Sequence, residues 1–354
     1  MKIQTNKIQL CIHISLIIAV ALIWINPALS ADCLQVSAPA NFETKGTPAE
    51  NTSTPGNRGI IPNGFVALKD GTPLVHGIDV SKWQPSANFV EVVNCGGRFA
   101  YVRLSAGTNP DNELEYRAHW SNARSVGLLV GPYHNLTLID PKLGYASLRE
   151  EEQLILKNRN IAAARKQAKV FLTKLREVLS YDVKSASDDS VFFGLPYLPI
   201  ALDVSVRPQM NGSISDKQAI GRVYRSAICA WIDEIKKDQM FSEQKILIFT
   251  LPSIFKDYDL MSASCDLKTI PIWLSYRPLD GDKPENEPNV EKRKMISNLC
   301  EPEGSDNRCI IHQYTSWGGF ALFQKDEALD LNRFIGDEFA LRKLLQHAYK
   351  EVKK

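Results

Sequence analysis

In Gly77-Ile78-Asp79-Val80-Ser81-Lys82-Trp83-Gln84 an acid stands near the end of a short apolar run, and small polar residues and an aromatic ring follow at once. The arrangement returns as Ala201-Leu202-Asp203-Val204-Ser205, and a third acid opens Asp330-Leu331-Asn332-Arg333-Phe334. An acid among Ile, Val and Leu must be hydrogen-bonded or paired if buried, so its place at a strand end calls for an explanation. Working outward, runs rich in β-branched and aromatic residues recur at 75–80, 99–104, 128–134, 198–204, 245–251, 270–275 and 310–315, with an eighth at 329–334. Residues 113–126, 158–179 and 216–237 have helical spacing, the last opening after Ser215 as N-cap. Strands alternating with helices predict the α/β class, and eight strands fit a TIM-like barrel in a single domain. All parallel strands of a barrel end on the same face, so Asp79, Asp203 and Asp330 are expected to meet there. The last gaps lack long helices, so the final strands are expected to follow one another without full crossovers. Polar stretches at 140–157, 180–194 and 278–306 exceed ordinary connection lengths and read as insertions on one face.

The chain has 354 residues, 44% hydrophobic and 23% charged, which excludes a disordered polyelectrolyte. Lys plus Arg number 42 and Asp plus Glu 40, and the first 30 residues hold two lysines and no acid. The remainder is therefore neutral, which argues against nucleic acid as the partner, because that binding draws on an excess of cations. Residues 1–30 carry a short basic start, an apolar run from Ile8 to Ile25, and Pro27 followed by small residues, the pattern of a signal peptide. The expected location is secreted or periplasmic, with an uncleaved N-terminal membrane anchor as the alternative. Residues 31–74, rich in Pro, Thr, Asn and Gly, read as a flexible linker; 75–340 as the barrel; 341–354 as a helical tail. Outside the signal, Cys33, Cys95, Cys229, Cys265, Cys300 and Cys309 form an even set that suggests disulfides in an exported protein. The short loop between Cys300 and Cys309 makes them the first expected pair, and the other four can pair in three ways.

The ordered motifs resemble the glycoside hydrolase family 25 lysozymes over residues 75 to 335. They are the Gly77 to Gln84 stretch, Phe99-Ala100-Tyr101-Val102-Arg103, Gly131-Pro132-Tyr133-His134, Leu202-Asp203-Val204, Ile272-Trp273-Leu274 with Tyr276, His312-Gln313-Tyr314-Thr315, and the Asp330 to Phe334 stretch. The resemblance implies a modified barrel of five βα units and three further strands, (β/α)5(β)3, and N-acetylmuramidase activity on peptidoglycan. It places Asp79, Asp203 and Asp330 in the catalytic groove. It also implies a departure: where the family's fourth strand ends in Asp-x-Glu, with that Glu as proton donor, this chain has Ser205. Residues two apart on a strand face the same side, so the replacement falls beside Asp203. A serine cannot protonate a glycosidic oxygen at ordinary pH, and general acid catalysis contributes roughly 10² to 10⁴ in rate, so impaired catalysis is expected. Ser105-Ala106-Gly107 lies where relatives often carry an acid, and its lack reads as a second loss of charge from the groove.

Trp83, Tyr133, His134, Trp273, Tyr276, Gln313 and Tyr314 are the candidate substrate-binding residues, with Trp317 as a further apolar platform for sugar faces. Any single aromatic at a strand end more often packs than binds. His312 is compatible with a satisfied core histidine. Asp188, Asp189, Asp216 and the acids of 280–291 are the other carboxyls that could reach the groove. Ser205 as nucleophile lacks a GxSxG elbow. No glycine loop for a nucleotide and no Cys/His cluster for a metal appears, and no contiguous loop supplies oxygen ligands for a cation. No cofactor is expected. The alternative to a muramidase is a degenerate lysozyme fold that binds wall glycan, or a protein partner through the insertions, without cleaving.

Overall fold

Alternation along each strand sorts the barrel's side chains into an inner and an outer set. The computed structural model describes residues 34–37, 58–60, 74–139, 145–182, 192–205, 214–252, 254, 258–262, 265, 267, 269–276, 308–320 and 329–349. In chain order the strands are β1 Leu34–Ser37, β2 Arg58–Ile60, β3 Val75–Val80, β4 Phe99–Ala106, β5 Leu129–Asn135, β6 Phe192–Tyr197, β7 Ile200–Asp203, β8 Ile246–Thr250, β9 Ile272–Ser275, β10 Cys309–Phe320, β11 Leu329–Phe334 and β12 Gln346–Tyr349. The helices are α1 Phe89–Asn94, α2 Tyr116–Ser125, α3 Glu150–Asp182, α4 Ile214–Lys237 and α5 Glu338–Arg342. The order β11-β3-β4-β5-β7-β8-β9-β10, closed by pairing of β10 with β11, makes an eight-stranded barrel. Neighbours from β3 to β10 run parallel, and β11 is antiparallel to both β10 and β3.

Val75, Phe99, Tyr101, Tyr133, Ala201, Leu247, Phe249, Trp273, Ile311 and Phe334 fill the inside as one apolar cluster. Gly131 makes room for this packing: a Cβ there would come within 2.3 Å of the Tyr101 ring. The outer faces pack against the helices, with α3 and α4 side by side around Phe171, Leu175, Trp231 and Ile235. Toward the strand C-termini the inner positions turn polar, as Asp79, Arg103, Asp203, Ser275 and Gln313.

Several expectations are corrected. Residues 31–74 contain β1 and β2, which extend the sheet: Leu34 to Val36 pair antiparallel with Phe320 to Gly318 of β10, and β2 pairs with β1. The stretch 150–157 is not an insertion but the start of α3, whose first turn carries Glu150, Glu151 and Glu152, favoured by the positive end of the helix. Helix α4 begins at Ile214, so Ser215 lies within it and not at its cap. Within the expected helical tail 341–354, α5 ends at Arg342 and residues 346–349 form strand β12, which pairs with β6, because strand partners supplied by the fold outweigh local helix preference. A disulfide joins Cys229 of α4 to Cys265, and Cys95 and Cys309 are disulfide-bonded as well. Residues 1–30, the whole of the 278–306 insertion with Cys300, and residues 350–354 lie outside the described residues.

Candidate active site

The polar ends of the inner positions surround a groove of about 360 Å³ at the strand C-termini. Asp79, Asp203, Asp330 and Ser205 all line it, together with Trp83, Tyr133, Trp273 and Gln313. Asp79 and Asp330 are direct cross-strand partners of β3 and β11. The convergence of three acids from opposite ends of the sequence follows from strand direction and parity alone.

Asp79 is held through two amides whose orientation is fixed. The indole Nε1 of Trp273 can only donate, and it donates to Asn332 Oδ1 at 2.8 Å. The Asn332 amide nitrogen therefore faces Asp79 and donates to its Oδ1 at 2.6 Å. Gln313 does the same: its Oε1 accepts from Ser275 Oγ at 2.6 Å, and its Nε2 donates to Asp79 Oδ1 at 3.0 Å. Burial raises the Asp79 carboxyl, the donors from Asn332 and Gln313 pull it down, the nearby Asp203 raises it and the charge of Arg103 lowers it, and the balance leaves it at about 6.

Asp203 is held differently. The backbone N–H of Ser205 donates to its Oδ1 at 2.8 Å, and Asn135 Nδ2 donates to its Oδ2 at 2.6 Å. Burial raises its pKa, while the Ser205 hydroxyl, Asn135 and Arg103 oppose the rise. Position 205 thus supplies donors to Asp203 where an Asp-x-Glu strand end would supply a carboxyl.

Arg103, from the inner face of β4, is the groove's cation. Its Nε donates to Glu113 Oε1 at 2.6 Å, and burial, which opposes its charge, is outweighed by Tyr133 and Glu113. Glu113 is itself 1% exposed, and its other oxygen accepts from the Lys82 backbone N–H at 2.9 Å. One carboxylate thereby ties the groove floor to the rim turn that carries Trp83. That turn is closed by Gln84, whose Oε1 accepts from the Ser81 N–H and hydroxyl, while the Trp83 N–H donates to Ser81 Oγ. With its backbone so fixed, Trp83 stands 71% exposed on the rim.

Three expected binding residues are not brought into the groove. His134 follows Tyr133 on β5 and so faces outward, stacked on Trp231 at 5.8 Å. Tyr314 is fully buried among outer side chains, with its hydroxyl 3.1 Å from His76 Nδ1. Tyr276 stacks on His312, whose Nε2 donates to the Tyr276 carbonyl at 2.7 Å while Nδ1 accepts from Arg333. His312 is thus a satisfied core histidine, and burial keeps it neutral at ordinary pH by lowering its pKa to about 3. Ser105 is also outside the groove: a register shift between Arg103 and Ser105 sets Ser105 opposite His134, and the pair bonds at 2.8 Å. Asp216 accepts from the Ala146 N–H and does not line the groove. The side chain of Trp317, and Asp188, Asp189 and 280–291, lie outside the described residues.

Arg103, Glu113, Asn135 and Asn332 had no role assigned from sequence. Arg103 and Asn332 share strand parity with Tyr101 and Asp330, a signal that was available. Glu113 precedes a helix and reaches inward, for which sequence holds no sign. No group of three or more metal-ligating side chains able to hold an ion occurs among the described residues.

The open end of the barrel gathers three acids beside an exposed aromatic. The chain belongs to glycosyl hydrolases family 25, whose model matches residues 78–321. It is 42% identical over 63 residues to Lysozyme M1 of Streptomyces globisporus, a match covering 18% of this chain and 21% of that protein. The match therefore spans about a fifth of that relative's length. Among solved structures it is similar to a lysozyme from Streptomyces coelicolor, at 21% identity and TM-score 0.45 over 77% of this chain and 97% of that one. The catalytic domain of endolysin ply40, from bacteriophage P40 of Listeria monocytogenes, matches at 18% identity and TM-score 0.46 over 77% and 97%.

Proposed function

We propose that the protein is an exported lysozyme-like glycosidase that binds the glycan strand of peptidoglycan in this groove and hydrolyses it slowly, as an N-acetylmuramidase. The single observation that carries the reading is the meeting of Asp79, Asp203 and Asp330 in one groove with Ser205 beside Asp203. Trp83 offers an exposed ring to a sugar face, and the acids accept hydroxyl hydrogen bonds. Asp203 is placed to face the positive charge that develops on the sugar, and Arg103 helps keep it ionised. Export rests on the signal-like N-terminus; no helix among the described residues is long and apolar enough to cross a membrane. The polar insertions remain the proposed site of any protein partner.

Ser205 favours one rival, a groove that retains glycan without cutting it. Incubating purified protein with peptidoglycan and measuring released muropeptides separates the two. Ser205→Glu is expected to raise release by about 10² to 10⁴, because it restores a carboxyl where the sugar oxygen needs a proton. Wall binding without release from either protein would leave the binding-only reading.

A further inference from the structure

The two carboxyls of the groove are bonded unequally. Both donors to Asp79 converge on Oδ1, and Oδ2 accepts no hydrogen bond from any described residue. Both oxygens of Asp203 are engaged, one by the Ser205 N–H and one by the Asn135 amide. A proton on Asp203 would have to share an oxygen with a donor already bound there; a proton on Asp79 has an oxygen without a donor in the groove lining to occupy. Two carboxyls that share a site and differ in surroundings divide the acid and base roles between them.

Resting on the lysozyme-like reading above, we propose that Asp79 is the proton donor of this groove, taking over from the carboxyl absent at 205, while Asp203 stays ionised. The proton on Asp79 Oδ2 passes to the glycosidic oxygen as the bond from the anomeric carbon to that oxygen breaks, and the bonding pair leaves with the departing sugar. The cationic sugar left behind faces the Asp203 carboxylate. Water then adds its oxygen to the anomeric carbon and gives a proton to Asp79, which restores the acid. The charged and titratable groups facing Asp79 are Arg103 of β4, Tyr133 of β5, Asp203 of β7 and Asp330 of β11. Gln313 of β10 and Asn332 of β11 approach it uncharged. The upward displacement of Asp79 to about 6 agrees with this division.

The test measures muropeptide release and wall binding for wild type, Asp79→Asn, Ser205→Glu and the double variant, between about pH 5 and about pH 8. The expected pattern has three parts. Wild-type release declines as pH rises through about 6. Asp79→Asn lowers release by at least about 10²-fold, far more than it weakens wall binding, and the double variant regains release because the carboxyl introduced at position 205 supplies the proton. Asn keeps an oxygen for Gln313 and Asn332, so loss in the single variant reports the proton and not the scaffold. Undiminished release by Asp79→Asn overturns the proposal, as does a double variant as inactive as Asp79→Asn. Release from Ser205→Glu with none from wild type also overturns it and leaves the lysozyme-like groove standing. Binding without release from wild type and Ser205→Glu alike overturns both.

Discussion

On the groove side of the barrel wall, Asn332 and Gln313 hold one oxygen of Asp79 and leave the other open; on the helix side, Ser105, His134 and Gln167 form a chain with no open end. Gln167 Oε1 accepts from the Thr137 N–H, and its Nε2 donates to the Thr137 carbonyl, which fixes the amide. His134 Nε2 must then donate to Gln167 Oε1 at 3.1 Å, and its Nδ1 accepts from the Ser105 hydroxyl. Burial lowers the His134 pKa to about 4, so the ring stays neutral. The chain belongs to a wider polar spine on α3, where Asn160, Gln167 and Lys174 recur every two turns and bond Ile139, Thr137 and the Glu113 carbonyl. Both networks turn on a side-chain amide, but the open one takes its amides from strands β10 and β11 and the closed one from helix α3. A network closed on itself holds the strand-end loops in place, whereas one with a free acceptor on a cleft has capacity left for a ligand.

The sharpest way to break the comparison is to charge-neutralise the open network and watch stability. Asp79 has its folded pKa raised from 3.8 to about 6, chiefly by burial. A carboxyl raised in this way favours the fold fully below about 3.8, and that contribution is lost as pH rises through about 6. Wild type is therefore expected to lose up to about 3 kcal/mol from this group between acid and neutral pH. Asp79→Asn, with its oxygen still placed for Asn332 and Gln313, should be more stable than wild type at neutral pH, with the advantage vanishing below about pH 4. Urea unfolding midpoints across that range measure it. An Asp79→Asn protein less stable than wild type at neutral pH would mean that the groove is built around the carboxylate.

Opening the closed network should act in the other direction. Gln167→Ala leaves the His134 Nε2–H without its acceptor in a site with no water access, which costs about 2 kcal/mol. The same unfolding measurement checks this, and wall binding per folded molecule should not change. A selective loss of binding with stability intact would place Gln167 in the groove's machinery after all.

How much of this was legible in the sequence depended on face parity. Strands 75–80 and 329–334 match the structure to the residue, each lying between turn-forming or polar residues one or two positions beyond its ends, Pro73 and Ser81 for the first and Glu327 and Gly336 for the second. The meeting of Asp79 and Asp203 followed from the rule that parallel barrel strands end together, whereas Asp330 reaches the same face because β11 runs antiparallel and starts there. The binding residues fared less evenly, and the reason is local. Tyr133 and His134 are adjacent on one strand, so only one can face the groove, and choosing between them needs the phase of β5 relative to Asp79. Register shifts between Arg103 and Ser105, and between Gln313 and Thr315, change that phase midway along β4 and β10. An extra residue of this kind turns a side chain to the other face and leaves no mark in composition. The same holds for β12, whose pairing with β6 is a contact between distant segments.

Trp83 gives the smallest and most selective test, because it lies in the groove yet contributes little to the core. Its ring is 71% exposed and stands beside Lys82 Nζ, 5.2 Å from the ring centroid. Its backbone is held by Ser81 and, through Lys82, by Glu113, so truncating the side chain leaves the turn intact. Trp83→Ala should change stability by less than about 0.5 kcal/mol, as surface substitutions usually do. Losing an aromatic face for a sugar ring should still weaken glycan binding by about 0.5–1.5 kcal/mol, roughly 2- to 13-fold, read from wall-binding isotherms. Glu113→Gln sharpens the result: it removes the charge opposite Arg103 and leaves Trp83 in place. If rim and floor are coupled through Glu113, that variant weakens binding with the tryptophan still present, and Trp83→Ala added to it costs less than it does alone. Two losses that simply add would show that the platform and the acid floor engage the glycan independently.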